Sequence, residues 1–295
     1  MAALFKLLFE IVCDLNRRFV EGNRVKEFNY LMITNKPDIA AFVEDKGVQR
    51  IFVDLEINGK LDRQGHLDTV VSRHSIDDVR AIRKVLTRSE LLVRINPFFE
   101  GSEAEIEAVI DAGADIIMLP MFKSLHQVES VGKFIDGRVK LIPLVETIEA
   151  IQICDELDSL ACVDELHIGL NDLHLQMGLN FMFELIQNGY IESYVKSLKK
   201  PFGIGGIAKV SEGAVPGELV MAEHIRLGSS GVILSRAFHN DAQSLSELKS
   251  VVDFQLEFQK LLNVRKELLN YSEQALENKH EQFCNKVKSF VEKID

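Results

Sequence analysis

The chain has 295 residues, 46% of them hydrophobic, which is enough for one α/β domain with a sizeable core. Acidic residues exceed basic ones by 11 at neutral pH, which argues against nucleic acid or an anionic membrane surface as a partner. Cys13, Cys154, Cys162 and Cys284 are widely spaced, so neither a disulfide framework nor a structural zinc site is indicated, and reduced thiols fit a cytoplasmic protein.

The apolar segment at the start of the chain, residues 1–15, is interrupted by Lys6, Glu10 and Asp14. No small-residue cleavage site follows it, so the pattern favours an amphipathic helix over a signal peptide. No run of the chain reaches the roughly 18 apolar residues that a membrane-spanning helix requires. We therefore expect a soluble protein without membrane contact.

Short runs rich in Val and Ile alternate with longer amphipathic stretches, which is typical of buried parallel strands linked by helices. Eight such alternations without a composition break predict an α/β fold, a (β/α)8 TIM barrel over residues 1–240, rather than a doubly wound sheet. The predicted strands are 28–34, 48–56, 91–96, 115–120, 140–146, 165–170, 202–207 and 231–236.

Helix-capping patterns support the helices between these strands. Ser75 with Asp78 three residues later resembles a capping box at the start of a helix over 75–87. Gly113 ends a predicted helix over 102–112. Another helix, over 124–135, ends at the Asp136-Gly137 turn.

A helical tail over 244–294 follows the eighth strand, with Leu, Val and Phe at helical spacing and no Pro or Gly to interrupt it. This length exceeds what one barrel helix requires, so we predict a C-terminal helical extension over 241–295. Two interpretations remain open. The tail is either a closing helix with a solvated extension, or a helix that packs on a second copy and forms a homo-oligomer.

Charged side chains end several of the predicted strands. Asp54 and Glu56 end the second strand, Arg94 lies in the third, Glu146 ends the fifth, and Asp172 follows the sixth. The carboxyl ends of barrel strands form one catalytic face, so these side chains are expected to converge. Carboxylates without His or Cys suit Mg²⁺ or Mn²⁺, and an arginine beside such an ion can bind a substrate carboxylate.

Four motifs in this region resemble those of a known family. The motifs are Arg94-Ile-Asn96, Gly113-Ala-Asp-Ile-Ile-Met-Leu-Pro120, Leu141-Ile-Pro-Leu-Val-Glu-Thr147, and Gly169-Leu-Asn-Asp-Leu173 with Met177-Gly178. In this order, over residues 48–238, the chain resembles the HpcH/HpaI aldolase and citrate lyase β-subunit family. The resemblance implies a metal-dependent carbon–carbon lyase that enolises a small 2-oxo acid, such as pyruvate, or an acyl-coenzyme A-like substrate.

The resemblance also implies roles for individual residues. Glu146 and Asp172 match the metal ligands of the family, and Arg94 matches its substrate-carboxylate arginine. Asp54 and Glu56 match the acidic pair near the metal-bound water. The positions expected to contact substrate besides Arg94 are Pro120, Gly169, Leu170 and Asn171.

The segment after the acidic pair departs from the family pattern. Aldolases of the family have a histidine there as general base, and this chain has Ile57. A long loop over 57–74 follows, which could fold over the site, bind an anionic group and supply His66 or His74 as the base. A solvated surface insertion is the alternative. The basic residues of the loop are Lys60, Arg63, His66, Arg73 and His74.

Glycines near the end of the seventh strand leave other functions open. Gly203-Ile-Gly-Gly206 and Ser235-Arg236 lie where many barrels bind phosphate, although the glycines could serve only tight turning. A metal-independent phosphosugar isomerase or synthase, with Glu146 as an acid–base residue, is therefore one alternative. A non-catalytic barrel that assembles through its C-terminal helix is the other. His167, inside a strand, is predicted to be a hydrogen-bonded core residue.

Overall fold

The computed structural model describes residues 28–57 and 74–294. Eight parallel strands close into a barrel in sequence order, which confirms the predicted (β/α)8 TIM barrel. The eighth strand pairs with the first, with Asn29 opposite Gly231. The strands are β1 (Asn29–Ile33), β2 (Arg50–Asp54), β3 (Glu90–Arg94), β4 (Ile116–Leu119), β5 (Lys140–Val145), β6 (Leu166–Ile168), β7 (Phe202–Ile207) and β8 (Gly231–Leu234).

Helices follow the strands in alternation, as the sequence predicts, and Ser75 and Asp78 form the expected capping box. In the described ranges they are α1 (Pro37–Asp45), α2 (Ile76–Arg83), α3 (Ser102–Asp111), α4 (Leu125–Ile135), α5 (Ile148–Gln152), α6 (Cys154–Ser159), α7 (Leu170–Gln176), α8 (Glu184–Gln187), α9 (Tyr190–Val195), α10 (Gly217–Leu227), α11 (Leu245–Val251), α12 (Phe254–Leu268) and α13 (Glu273–Ile294).

Alternate strand residues fill the interior of the barrel. Leu31, Phe52, Leu92, Met118 and Leu144 form part of one buried cluster there. The residues between them point outward and join a larger core beneath the helices. Because side chains pack the middle of the barrel, strand-end residues are left to form a cavity at its rim.

Seven of the eight predicted strands extend one or two residues too far at their carboxyl ends, and β7 ends where predicted. Glu56 and Glu146 lie just beyond β2 and β5 instead of inside them. After β6, Gly169 is the N-cap of α7, and Asp172 lies in the first turn of that helix. The acidic residues therefore lie where the strands give way to loops and helices.

The predicted C-terminal helical extension is present, and it consists of three separate helices, α11, α12 and α13. The Asp253 side chain accepts a hydrogen bond from the Leu256 N–H, 3.0 Å away, and begins α12. Ser272 Oγ accepts one from the Ala275 N–H at 3.2 Å and precedes α13. Polar side chains that cap a helix can start a new one without Gly or Pro.

The last helix, α13, packs on its own barrel. Leu276, Phe283 and Val287 are buried on it. The rings of Phe283 and Phe183 have centroids 5.6 Å apart. The apolar stripe of this helix is thus covered within one chain.

Two predicted segments, the N-terminal helix over 1–15 and residues 58–73 of the long loop, lie outside the described residues. Within the described ranges, no helix combines the length and apolarity needed to cross a bilayer.

Candidate active site

A cavity of about 460 Å³ opens at the carboxyl ends of the strands. Its wall contains most of the residues that the sequence singled out. Within the described part of the chain, two predicted residues are buried without lining it, namely Glu56 and Pro120. The predicted residues that do line the cavity are Asp54, Arg94, Glu146, Gly169, Leu170, Asn171 and Asp172.

Arg94, the last residue of β3, is fixed by acidic side chains from β2. Its Nε and Nη2 each donate a hydrogen bond of 2.8 Å to the Asp54 carboxylate. The Nε atom lies 3.4 Å from a Glu56 oxygen, and the guanidinium lies 5.5 Å from the centre of the Phe52 ring. Burial lowers the pKa of Arg94, but the nearby carboxylates outweigh burial and hold it above the usual value. The guanidinium is a permanent, oriented cation.

Glu146 follows β5 and is 3% exposed. Its Oε1 accepts a hydrogen bond from the Met121 N–H, 3.1 Å away. Burial raises the pKa of Glu146 to about 8, against the opposing charge of Arg94 and with help from Asp172 and Glu56. Glu146 is therefore a buried carboxyl whose charged neighbours include more carboxyls than cations.

Gly169 brings α7 close to Glu146. A Cβ at this position would lie 2.7 Å from the Glu146 Cβ and 3.0 Å from its Oε2. Asp172, one helical turn further on, is 8% exposed and lines the same cavity as Glu146. The close approach of this helix is what brings the two acids to one wall.

The donor set at this wall fits a divalent cation. Glu146 and Asp172 provide hard oxygen ligands at a place where negative charge exceeds positive charge. Among residues 28–57 and 74–294, no group of three or more His, Cys, Asp or Glu side chains is arranged to hold a metal ion. An ion held by these two residues would therefore complete its coordination with water and substrate, as Mg²⁺ commonly does.

The long loop returns to the site at its end. His74 Nδ1 accepts a hydrogen bond from the Asp54 N–H at 3.0 Å, so a neutral imidazole there carries its proton on Nε2. At the other end of the loop, the Ile57 N–H donates to Asn96 Oδ1 at 2.9 Å. The remaining loop residues singled out in the sequence lie outside the described ranges.

Sequence patterns missed an apolar part of the cavity wall, which contains Phe181, Met182 and Phe183. Aromatic residues and methionines at such spacing indicate core packing, and no motif distinguishes these three from core residues. Arg236, which the sequence did single out, and Asp241 lie on the same rim, with Nη1 and Oδ2 3.7 Å apart.

The glycines of β7 have packing reasons of their own. A Cβ on Gly203 would lie 2.8 Å from His167 Cε1. Gly205 has a φ of +43°, and a Cβ there would lie 2.9 Å from a Leu170 methyl. His167 Nε2 lies 3.3 Å from the Gly205 carbonyl oxygen, and burial lowers the pKa of His167 to about 4. The imidazole is therefore neutral and hydrogen-bonded, and it lines the cavity.

The sequence profile of the HpcH/HpaI aldolase/citrate lyase family matches residues 32–214 of the chain. A comparison with curated proteins found no match.

Solved structures share the fold. An HpcH/HpaI aldolase from Desulfitobacterium hafniense DCB-2 is 15% identical with a TM-score of 0.54, over 77% of this chain and 95% of that one. An HpcH/HpaI aldolase/citrate lyase family protein from Burkholderia cenocepacia J2315 is 14% identical with a TM-score of 0.57, over 84% and 99%. The citrate synthase SbnG is 14% identical with a TM-score of 0.54, over 80% and 95%. At these identities the likeness concerns the fold alone.

Proposed function

The chain belongs to the HpcH/HpaI aldolase/citrate lyase family, and we propose that it is a divalent-metal-dependent carbon–carbon lyase. Its substrate would be a small 2-oxo acid of the pyruvate type, or a related acyl-coenzyme A-like compound, that is enolised. The observation that carries the proposal is one cavity with a fixed cation, Arg94, and two buried carboxyls, Glu146 and Asp172.

Each of these residues has a distinct part in the proposed reaction. Glu146 and Asp172 would hold Mg²⁺ or Mn²⁺, and the bound ion supplies Lewis-acid polarisation of a carbonyl oxygen. Arg94 binds the carboxylate of the substrate, since it lines the cavity and Asp54 holds its guanidinium in one orientation through Nε and Nη2. Asp54 thereby positions the arginine, and Glu56 places a second negative charge 3.4 Å from the Arg94 Nε.

The shape of the cavity fits a compound larger than a three-carbon acid. Gly169, Leu170 and Asn171 lie beside Glu146, where the reacting end of the substrate would bind. Phe181 and Phe183 form an apolar wall along the remaining space. We expect a condensation partner or an acyl chain to occupy this part.

The phosphosugar alternative is less well supported than the lyase. The glycines that suggested a phosphate site, Gly203 and Gly205, are explained by packing against His167 and Leu170. Assembly through the C-terminal helices stays a proposal, as does a cytoplasmic location. Light scattering of the purified chain would test the first, since a homo-oligomer has a multiple of the 33.3 kDa mass of one chain.

Exchange of the pyruvate methyl protons in D₂O, followed by NMR, tests enolisation without knowledge of the second substrate. Protein dialysed against EDTA is expected to be inactive, and Mn²⁺ or Mg²⁺ is expected to restore exchange. Glu146→Gln and Asp172→Asn should abolish it, whereas Glu149→Gln, an exposed acid on the neighbouring helix α5, should not. Exchange that persists in metal-free protein at the full rate would refute the metal-dependent proposal.

A further inference from the structure

Met121, in the turn that follows β4, has a backbone conformation that methionine rarely adopts. Its φ is +53°, in the left-handed region. This region is unfavourable for residues with a Cβ atom, and Asn and Asp tolerate it best after Gly because their short polar side chains form local hydrogen bonds. The other non-glycine residues with a positive φ in the described ranges all have short polar side chains, and they are Asp136, Ser211, Asn240 and Asp241.

The side chain of Met121 does not account for this conformation. It is partly exposed, and it belongs neither to the wall of the cavity nor to the described residues that pack against the hydrophobic core. A strained residue persists only where the surrounding structure fixes it, and such residues are concentrated at functional sites. The contacts that fix Met121 are therefore to be found along its backbone.

The turn after β4 is hydrogen-bonded to both residues that follow β5. The Met121 N–H donates to Glu146 Oε1 at 3.1 Å. The next carbonyl oxygen, that of Phe122, accepts a hydrogen bond of 2.8 Å from Thr147 Oγ1. Thr147 Oγ1 also accepts from the Ala150 N–H at the start of α5. Since Phe122 and Thr147 are fully buried, these contacts hold the turn in one position beside Glu146.

The Met121 N–H holds one of the two oxygens of the Glu146 carboxylate. Within residues 28–57 and 74–294, Glu146 accepts no other hydrogen bond. Its second oxygen, Oε2, lies on the side where Gly169 packs, 3.0 Å from where a Cβ of that residue would be. One contact at the end of a long side chain removes much of its rotational freedom, and the oxygen without a hydrogen bond remains for a ligand.

We propose that Met121 is a positioning residue, whose left-handed backbone places the N–H that holds Glu146 ready for the divalent cation. The inference rests on the proposed function, in which Glu146 is a metal ligand. A negative φ at Met121 would turn the N–H away from Glu146 and release the carboxylate. The position therefore requires a residue that keeps a positive φ, whatever its side chain.

Two substitutions separate the backbone conformation from the methionine side chain. Met121→Asn introduces a residue that tolerates a positive φ, whereas Met121→Val introduces a β-branched residue that tolerates it poorly. Both variants lack the thioether, and both keep the backbone N–H. We therefore expect the contact with Glu146 to survive in Met121→Asn and to be lost in Met121→Val.

The test is the Mn²⁺ affinity of the full-length chain without substrate, measured by calorimetry. Met121→Val should bind Mn²⁺ about tenfold or more weakly than the wild type, since loss of a contact that orients a metal ligand typically costs roughly 10–100-fold in affinity. Met121→Asn is expected to retain the affinity that Met121→Val loses. Lys123→Val is the matched control, because it places the same residue at an exposed position of the same turn where φ is not positive.

Two results would overturn this inference alone. One is an unchanged Mn²⁺ affinity in Met121→Val, and the other is an equal loss in Met121→Asn and Met121→Val, which would mean that the side chain matters rather than the backbone. A wild-type chain that does not bind Mn²⁺ would overturn the proposed function and this inference with it.

Urea unfolding of the metal-free chain shows whether each variant is folded. If Met121→Val does not fold, Met121→Ala and Met121→Gly provide the same comparison, since alanine has the Cβ that disfavours a positive φ and glycine lacks it. The alanine variant should then bind Mn²⁺ several-fold more weakly than the glycine variant. Equal affinities of these two variants would overturn the inference.

Discussion

Asp54 and Arg94 form a two-point ion pair across β2 and β3, with both hydrogen bonds 2.8 Å long. The aspartate side chain is 2% exposed and the arginine side chain 15%. A carboxylate buried to this extent directs the guanidinium toward the cavity and prevents it from taking other rotamers.

This pair predicts a large effect of Arg94→Lys on catalysis. An ammonium cannot hold Asp54 at two points and also donate to a substrate carboxylate, so kcat/KM for pyruvate exchange should fall about 10²-fold, in keeping with the roughly 2–5 kcal/mol cost of disrupting a buried charge pair. Proton-exchange kinetics measure the change. Arg80→Lys, an exposed arginine on α2, is the matched control, and a variant within twofold of the wild type would contradict the assignment of Arg94.

Gly169→Ala should impair the site while the barrel remains folded. Gly169 has a φ of −88°, which alanine adopts readily, so its added methyl acts through its contacts, of which those with Glu146 are the shortest and one with Leu144 is 3.3 Å. We expect a loss of Mn²⁺ binding, measured by calorimetry, of about tenfold or more, since displacement of a ligand or its support typically costs roughly 10–100-fold in affinity. Gly137→Ala, at an exposed turn away from the cavity, strains a backbone with a φ of +69° but should bind Mn²⁺ as the wild type does. Equal Mn²⁺ affinities of the wild type, Gly169→Ala and Gly137→Ala would show that the packing of Gly169 on Glu146 does not affect metal binding.

Three of the acids that the sequence singled out, Asp54, Glu146 and Asp172, line one cavity, because a parallel barrel brings the carboxyl ends of all strands to one rim. This rule places Glu146 and Asp172, 26 positions apart, at the same rim, but it does not give the contact of Gly169 with Glu146 that brings them to one wall. Phe183 did not follow from the same rule. Phe183 lines the cavity and packs against Phe283 of α13, which is 100 positions later in the chain. The spacing of neighbouring residues does not indicate such a distant contact.

Element boundaries show the same limit. The predicted sixth strand runs to residue 170, but α7 begins at Leu170, directly after Gly169. The break before α12 depends on the Asp253 side chain, which accepts a hydrogen bond from the Leu256 N–H and so begins a new helix without Gly or Pro. Patterns of apolar spacing carry little information about such capping contacts.

His74→Ala should destabilise the rim of the barrel, because the Asp54 N–H would lose its acceptor. A buried donor left unsatisfied costs roughly 1–3 kcal/mol, so we expect a decrease of about 1–2 kcal/mol in the free energy of unfolding, measured with urea. His74→Asn retains a side-chain acceptor near the position of Nδ1 and should recover most of the loss. If the asparagine variant is as stable as the wild type but inactive, the Nε2 proton has a catalytic role as well.

Glu44 predicts how stability depends on pH. Its carboxylate accepts hydrogen bonds from the backbone N–H groups of Thr87, Arg88 and Ser89. Burial raises the pKa of Glu44, but these bonds outweigh it and lower the pKa from 4.5 to about 2. A depressed folded-state pKa stabilises the protein above pH 4.5, and this contribution is lost as the pH falls toward 2.

Glu44→Gln should therefore lower the free energy of unfolding by about 2–3 kcal/mol at pH 7, and by much less near pH 2. Denaturant titrations at several pH values measure the difference. Glu129→Gln, on the exposed face of α4, is the control and should change stability little at either pH. A difference in the free energy of unfolding that does not depend on pH would mean that Glu44 stabilises the protein through its hydrogen bonds rather than through its charge.

Phe283→Ala tests whether the C-terminal helix supports the cavity. Phe283 is fully buried against Phe183, and removal of a buried phenylalanine side chain costs roughly 3–5 kcal/mol. Phe183 lines the part of the cavity where we expect the condensation partner or acyl chain, and Glu146 lies elsewhere in the wall. The variant should therefore raise the KM for that substrate more than it lowers the rate of pyruvate exchange. Leu268→Ala, buried on α12 away from Phe183, should reduce stability without this selective rise in KM. Equal effects of both variants on KM would mean that α13 contributes stability alone, and that the aromatic wall is set by the barrel itself.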